Sequence, residues 1–151
     1  MSLKVASAMV KDVVTVDTDA TVKKAVEIMN KHEIGCLVVV KGNRLVGILT
    51  ERDMLKRVLG ESRNPEKTKV SEIMTAPVIT VSPTTNLEEA AKLMFEKNVK
   101  KLPVVSEGKL VGLITLTDLA RFQPEIIRLI RRIINENTPK RMKKVVDYYI
   151  V

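Results

Sequence analysis

The chain has 151 residues, of which 45% are hydrophobic and 29% charged, and its formal net charge is +8. This composition excludes a disordered chain and allows one domain, or two small halves that share an interface. The longest apolar runs, such as residues 37 to 40, are far shorter than the roughly 20 residues of a transmembrane helix. A single cysteine, Cys36, excludes an intramolecular disulfide, and we recognise no signal peptide, so we expect a cytoplasmic protein.

The first half of the chain predicts a β-α-β-β-α order of elements. Its signals are short β-branched runs, an apolar stripe at helical spacing and a glycine turn between two apolar runs. In chain order they predict a strand at residues 13–16, a helix with the stripe Val22, Ala25, Val26 and Met29, strands at 37–40 and 45–49 joined at Lys41-Gly42-Asn43, a helix from about Arg52-Asp53 to Leu59, and a linker at 60–68.

The second half repeats this order 65 residues later without a gap, which indicates two copies of one supersecondary unit. The clearest match sets Gly47-Ile48-Leu49-Thr50-Glu51-Arg52-Asp53 against Gly112-Leu113-Ile114-Thr115-Leu116-Thr117-Asp118. The other predicted copies are a strand at 78–81, a helix with the stripe Leu87, Ala90, Ala91 and Met94 that opens with the capping box Thr85-Asn86-Leu87-Glu88, a hairpin that turns at Glu107-Gly108, and a helix from about Thr117-Asp118 that stops before Pro124. We therefore expect a mixed α/β fold of the α+β class, with the two repeats packed as a pseudo-two-fold pair.

The tail from Pro124 onward lies outside the repeat. Pro124 suits the first position of a helix, which we expect to run to Glu136. Its apolar face would be Ile126, Ile127, Ile130, Ile133 and Ile134, opposite Arg128, Arg131, Arg132 and Asn135. A second short amphipathic helix would carry Met142, Val145, Val146 and Tyr149. We expect these helices to pack on the repeats or across a dimer seam; a docking surface for a partner protein, nucleic acid or anionic membrane is the alternative.

The residues that end each hairpin have the chemistry of a nucleotide site. Thr50 and Thr115 lie where a strand gives way to a helix, so backbone N–H groups point at an approaching anion and the hydroxyl can donate to a phosphate oxygen. Asp53 and Asp118 follow in the first helical turn, and a carboxylate is a natural acceptor for the two hydroxyls of a ribose. Simple helix capping is the alternative explanation. Two copies in register favour nucleotide binding.

A doubled β-α-β-β-α unit that closes each hairpin with Gly-h-h-Thr-x-x-Asp, where h is apolar, resembles a tandem pair of CBS domains, the regulatory module named after cystathionine β-synthase. The resemblance covers residues 8 to 123 and implies CBS domains at 8–65 and 73–123, followed by a helical tail at 124–151. It implies a non-catalytic sensor of AMP, ADP, ATP or S-adenosylmethionine. It also implies a homodimer and a regulated effector protein.

The resemblance further implies two clefts, each combining the Thr-x-x-Asp segment of one repeat with the adenine-facing strand and turn of the other. Cleft one would contain Val14, Gly35, Cys36, Thr115, Leu116, Thr117 and Asp118. Cleft two would contain Thr50, Glu51, Arg52, Asp53, Ile79, Lys100 and Lys101. Because Arg52, Lys100 and Lys101 are basic, cleft two should suit a polyphosphate and cleft one a neutral or monophosphate ligand. Basic residues at such positions are also typical of solvated surface.

Other chemistry finds little support in the sequence. His32 is the single histidine, and neither a zinc-binding Cys/His spacing nor a Gly-x-x-x-x-Gly-Lys loop occurs. We therefore expect neither an enzyme nor a metal protein, and no catalytic cofactor. The few aromatic residues do not suit a base-stacking surface for single strands. The alternative function is an adaptor or nucleic-acid-binding protein that acts through the basic C-terminal tail while its nucleotide clefts are vestigial.

Overall fold

The computed structural model describes residues 3–134, 138–140 and 142–143. Its backbone divides into two compact units. The first-repeat unit comprises residues 12–78, and the second-repeat unit comprises residues 3–11 together with the described chain from residue 79 onward. The helices and strands are, in chain order, α1 (Val5–Ala8), β1 (Thr15–Asp17), α2 (Val22–His32), β2 (Cys36–Lys41), β3 (Arg44–Thr50), α3 (Glu51–Asp53), a π-helix (Met54–Leu59), α4 (Val70–Ile73), α5 (Leu87–Lys97), β4 (Lys101–Ser106), β5 (Lys109–Thr115), α6 (Leu116–Phe122) and α7 (Ile126–Ile133).

The first-repeat unit confirms the predicted order of elements. β1 pairs in parallel with β2, and β2 pairs antiparallel with β3, so the predicted hairpin is part of a three-stranded sheet. α2 begins after Thr21, whose hydroxyl accepts from the N–H of Lys24 at 3.1 Å. Its predicted stripe belongs to the core, whose buried residues are Val16, Val22, Ala25, Met29, Leu37, Val39, Leu49, Val58, Val70 and Ile73.

The helix predicted after the first hairpin has a different geometry from its copy. Three α-helical residues are followed by the π-helix, in which the N–H of Gly60 donates to the C=O of Leu55, five residues back, at 2.9 Å. The copy, α6, is a regular α-helix and ends before Pro124, as predicted. The π-helix leaves Leu55 and Leu59 exposed.

The strand predicted at residues 78–81 is wrong. Of these residues, Val81 alone pairs, through an isolated parallel bridge to Val104. The cause is Pro103, which aligns with Val38 of the first repeat, where the N–H donates to the C=O of Val14 at 3.2 Å. Proline has no N–H, so the equivalent bond to Ile79 cannot form and the parallel ladder is cut short. The second-repeat unit therefore contains the two-stranded antiparallel sheet β4–β5.

The capping box predicted at Thr85 is also wrong. α5 begins one residue later than the box requires, with Asn86 as its N-cap residue. The Thr85 hydroxyl instead accepts from the N–H of Ser82 at 3.2 Å, so it belongs to the preceding turn. The side chain of Asn86 is also engaged elsewhere, because its Oδ1 accepts from Lys4 Nζ at 2.6 Å.

Two short helices, α1 and α4, were not predicted, and each precedes a repeat. α4 packs in the first-repeat unit, where Thr75 forms an antiparallel bridge with Ile48. α1 packs in the second-repeat unit, where Val10 forms the equivalent bridge with Leu113. Each unit is therefore completed by the segment that precedes the other repeat. The buried residues of the second core are Val5, Ala8, Val81, Leu87, Ala90, Ala91, Met94, Phe95, Leu102, Val104, Ile114, Leu116, Leu119, Ile126, Ile130 and Met142.

α7 confirms that the tail packs on its own body. Ile126 and Ile130 are buried in the second core, Ile133 and Ile134 pack against it, and Arg128 is exposed. The helix is shorter than the predicted 124–136: Glu125 is its N-cap residue, and the extended backbone of Ile134 ends it. Pro124 lies in the preceding turn, where its C=O already accepts from the N–H of Ile127 at 3.1 Å.

The second tail helix falls largely outside the described residues, which include Met142 but not Val145, Val146 or Tyr149. Met142 is buried in the second core. The described helices all fall short of the length and apolarity that a membrane span requires.

The glycine of each motif makes room for a methionine. A Cβ placed at Gly47 would lie 2.5 Å from Sδ of Met74, and one at Gly112 would lie 2.5 Å from Sδ of Met9. At Gly112 it would also lie 3.0 Å from the backbone oxygen of Val10. Both glycines are therefore required by packing, independently of any ligand.

Gly112→Ala should lower the free energy of unfolding by about 1–3 kcal/mol, because the added methyl group overpacks a filled space. Gly47→Ala is the matched control and should cost less, since all three of its nearest atoms belong to the Met74 side chain, which can move. Urea denaturation measures both. Equal stability of Gly112→Ala and the unmodified chain would contradict this account of the motif glycine.

Ile130→Ala should lower the free energy of unfolding by about 2–5 kcal/mol, since it removes a buried side chain and leaves a cavity. Ile127→Ala changes a half-buried position of the same helix and should cost less. Thermal and urea denaturation of the two variants measure the difference. If both variants were as stable as the unmodified chain, α7 would be an appendage rather than part of the core.

Candidate functional site

The first motif forms a reciprocal capping box at the end of β3. The hydroxyl of Thr50 accepts from the N–H of Asp53 at 3.3 Å, and Oδ2 of Asp53 accepts from the N–H of Thr50 at 2.9 Å. The same carboxylate oxygen lies 3.2 Å from Oγ1 of Thr50. Asp53 is 7% exposed, so its carboxylate is largely removed from water.

The second motif repeats this geometry at the end of β5. The Thr115 hydroxyl accepts from the N–H of Asp118 at 3.1 Å, and Oδ2 of Asp118 accepts from the N–H of Thr115 at 3.0 Å. Asp118 is 8% exposed. Capping therefore accounts for one oxygen of each carboxylate, and the second oxygen distinguishes the two motifs.

Asp53 has two further partners that the sequence did not reveal. Its Oδ1 accepts from the Thr75 hydroxyl at 3.0 Å and lies 3.6 Å from Nη1 of Arg57. The same guanidinium nitrogen donates to the carbonyl oxygens of Ile73 and Met74, each at 3.0 Å. Thr75 and Arg57 thus join the motif to the end of α4 and to the segment that follows it. No repeat signal could indicate them, because the matching residues of the other copy have different chemistry.

The second and third motif positions differ between the copies. Glu51 and Arg52 are exposed, whereas Leu116 is buried and Thr117 is exposed. The N–H of Glu51 donates to the C=O of Gly35 at 3.1 Å, and its carboxylate lies over that glycine, where a Cβ would come within 2.5 Å of Oε1.

Three of the remaining predicted site residues, Cys36, Lys100 and Lys101, adjoin the motif of their own repeat. Cys36 pairs with Thr50 across β2 and β3. Lys101 pairs with Thr115 across β4 and β5, and the C=O of Lys100 accepts from the N–H of Leu116 at 2.9 Å. Val14 and Ile79 are half-buried, each against the core of its own unit. The combinations predicted across the two repeats, as clefts one and two, stay predictions.

Two open depressions, each of about 680 Å³, lie away from the motifs. One is lined by Lys23, Val26, Ser62, Asn64, Pro65 and Glu66, and a hydrogen bond to Glu66 raises the pKa of the Lys23 ammonium group. The other is lined mainly by residues of α5 and of the turns at 80–85 and 107–108. Neither lining contains a predicted site residue. Among the described residues, no cluster of three or more His, Cys, Asp or Glu side chains could hold a metal ion.

Known proteins resemble this chain in sequence and in fold. The family model of the CBS domain matches residues 5–60 and 70–125; the bounds predicted above stay predictions. The chain is 35% identical over 116 residues to the CBS domain-containing protein YhcV of Bacillus subtilis, a match that covers 77% of this chain and 82% of YhcV.

Two solved structures are similar over most of their length. One is a protein with CBS domains from Burkholderia ambifaria, described as a signal-transduction protein, with 32% identity, a TM-score of 0.74 and coverage of 91% of this chain and 100% of that one. The other is the CBS domain pair of protein MJ0100 in complex with 5′-methylthioadenosine and S-adenosyl-L-methionine, with 29% identity, a TM-score of 0.73 and coverage of 81% and 96%. The chain therefore belongs to the CBS-domain family and carries two CBS domains in tandem.

Proposed function

We propose that the chain is a non-catalytic regulatory protein that binds an adenosine compound and signals its occupancy to an effector protein. The observation that carries the proposal is the pair of Thr-x-x-Asp motifs, in register in both CBS domains, each with its carboxylate buried. In support, a similar CBS domain pair has been solved with two adenosine compounds.

The motif residues supply the groups that recognise such a ligand. A carboxylate accepts hydrogen bonds from both hydroxyls of a ribose, and a threonine hydroxyl can donate to a phosphate oxygen. Lys100 and Lys101 adjoin Thr115 and favour an anionic ligand. The candidate sites are the groupings predicted as cleft one, around Asp118, and cleft two, around Asp53. AMP, ADP, ATP and S-adenosylmethionine all offer the ribose and adenine that these groups would contact.

An adenosine compound at 100 times its dissociation constant should stabilise the chain by about 2.7 kcal/mol if it binds the folded state alone. A thermal-shift series with AMP, ADP, ATP and S-adenosylmethionine measures this as an increase in Tm. GMP and CMP are the controls and should give smaller shifts, because we expect the strand edge at the base position to select adenine through backbone groups. No shift with any adenosine compound at millimolar concentration would contradict the proposal.

A second candidate function is supported by the outer face of α7. Arg128, Arg131 and Arg132 are all exposed there, and a row of arginines suits an anionic polymer. On this alternative the chain is a nucleic-acid-binding adaptor with vestigial nucleotide clefts. Binding to DNA or RNA that weakens steeply with salt, together with no thermal shift by nucleotides, would favour the alternative.

We further propose that two copies associate through the exposed face of the π-helix. Leu55 and Leu59 lie one turn apart and are 61% and 73% exposed. An apolar surface of this kind is typical of an interaction site, and a two-fold axis would place the same patch of both copies in contact.

Leu59→Glu should convert the proposed dimer to monomers, because the interface would then have to bury two unpaired carboxylates. Light scattering on the unmodified and substituted chains measures the molecular mass. Leu3→Glu changes an exposed leucine outside the patch and should leave the mass unchanged. An unmodified chain that is monomeric at tens of micromolar, or a Leu59→Glu chain that stays dimeric, would contradict the proposal.

A further inference from the structure

The two repeats differ at the two positions whose side chains contact the second carboxylate oxygen of Asp53. The positions that match Arg57 and Thr75 are Phe122 and Val10. Phe122 lies four residues after Asp118, as Arg57 lies four residues after Asp53, and Val10 holds the same bridge position beside β5 that Thr75 holds beside β3. Phe122 and Val10 are each 47% exposed, and neither side chain can donate a hydrogen bond or carry a charge.

The two carboxylates therefore differ in the side chains available to their second oxygen. Oδ1 of Asp53 accepts from the Thr75 hydroxyl and faces Arg57, which also binds two backbone carbonyls. A ribose that used this oxygen would have to compete with the Thr75 hydroxyl and with the charge of Arg57. At Asp118 the matching positions hold two apolar side chains, so the equivalent oxygen has no hydroxyl or guanidinium at these positions to compete with a ligand.

We propose that Arg57 and Thr75 are positioning residues that lock Asp53 into the fold, and that Asp118 alone is the ribose-binding carboxylate, so that one nucleotide binds per chain. This inference rests on the proposed function and deepens it.

The charges beside the two motifs agree with this assignment. After Thr50 come the exposed Glu51 and Arg52, whose charges are opposite, whereas after Thr115 come the buried Leu116 and the exposed Thr117, both uncharged. Lys100 and Lys101 adjoin Thr115 and Leu116, while Gly35 and Cys36 occupy the matching places beside Thr50 and Glu51. Counted within each repeat, the two lysines therefore favour an anionic adenosine compound at the Asp118 motif, whereas the predicted cleft two groups them with Asp53.

The test transfers the lock from one repeat to the other in the full-length chain. Calorimetric titration with AMP, repeated with ATP and with S-adenosylmethionine, gives the number of sites and the affinity, and a melting curve gives the Tm without ligand. The lock variant carries Val10→Thr and Phe122→Arg. Its matched control carries Val10→Ala and Phe122→Leu, which changes the same exposed positions without adding a donor or a charge. Asp118→Asn removes the charge of the proposed acceptor directly.

The unmodified chain should bind one equivalent of a titrant. The lock variant and Asp118→Asn should each bind about 10- to 150-fold more weakly, the loss expected for hydrogen bonds to a charged group. The lock variant should also melt at a higher temperature than the control, which a merely damaged site would not do. The control should bind within about twofold of the unmodified chain, since it adds no group that competes for the carboxylate.

Two equivalents of similar affinity, or one equivalent that persists in Asp118→Asn, would overturn the assignment while leaving the proposed function intact. A lock variant with a raised Tm and unchanged affinity would overturn it as well. A lock variant whose Tm is not raised above that of the control would overturn the assignment too, because a hydroxyl and a guanidinium at these positions would then not hold the aspartate. Absence of binding by every titrant to the unmodified chain would overturn the proposed function, and the assignment with it.

Discussion

Each unit depends on a two-bond antiparallel bridge between the last strand of the hairpin and the segment that precedes the other repeat. Thr75 and Ile48 exchange backbone hydrogen bonds of 2.9 and 3.0 Å, and Val10 and Leu113 exchange two of 2.9 Å. The bridge holds α4 and α1 in place, so that Val70, Ile73 and Val5 are fully buried. It also sets a methionine side chain against the motif glycine, which is why a glycine is needed there. The bridge thus explains both the placement of α1 and α4 and the glycine in each motif.

The bridge also connects the fold to the candidate site, because the bridging residue of the first repeat contacts the motif carboxylate. In the first repeat that residue is Thr75, and its side chain donates to Asp53 while its backbone holds the bridge. In the second repeat it is Val10, which holds the same bridge through its backbone and offers an apolar side chain. Since the bridge is formed by main-chain groups, the side chain of the bridging residue can change without loss of the fold. In the first repeat this side chain therefore occupies an acceptor position on the second oxygen of the aspartate.

The features that the sequence predicts correctly are ones that both copies share. Hairpins, helix stripes and the Thr-x-x-Asp motifs recur at a fixed distance, and both motifs form the capping interaction weighed as the alternative to ligand binding. Several of the failures occur where a residue breaks the repeat. Pro103 removes an N–H that Val38 supplies, so the strand at 78–81 is lost, although a proline inside a predicted parallel pair was a visible signal. Arg57 and Thr75 could not be found by matching copies, because their counterparts are Phe122 and Val10. The short helices α1 and α4 have four residues each, too few for a periodic pattern to stand out.

A motif carboxylate has a limited number of acceptor positions, and capping uses one oxygen in both copies. The acceptor positions that remain for a ribose are those of the second oxygen. In the proposed assignment, two residues outside the motif decide whether that oxygen is already engaged: the bridging residue and the residue one helical turn after the aspartate. A hydroxyl and a guanidinium at those places stabilise the empty fold by the same interactions that a ligand would otherwise supply. Apolar residues at those places make no such interactions, so a ligand could supply them instead. Each Thr-x-x-Asp motif of this chain therefore forms a helix cap, and on the proposed assignment the residues at the bridge and four positions beyond the aspartate decide which of the two can also bind a nucleotide.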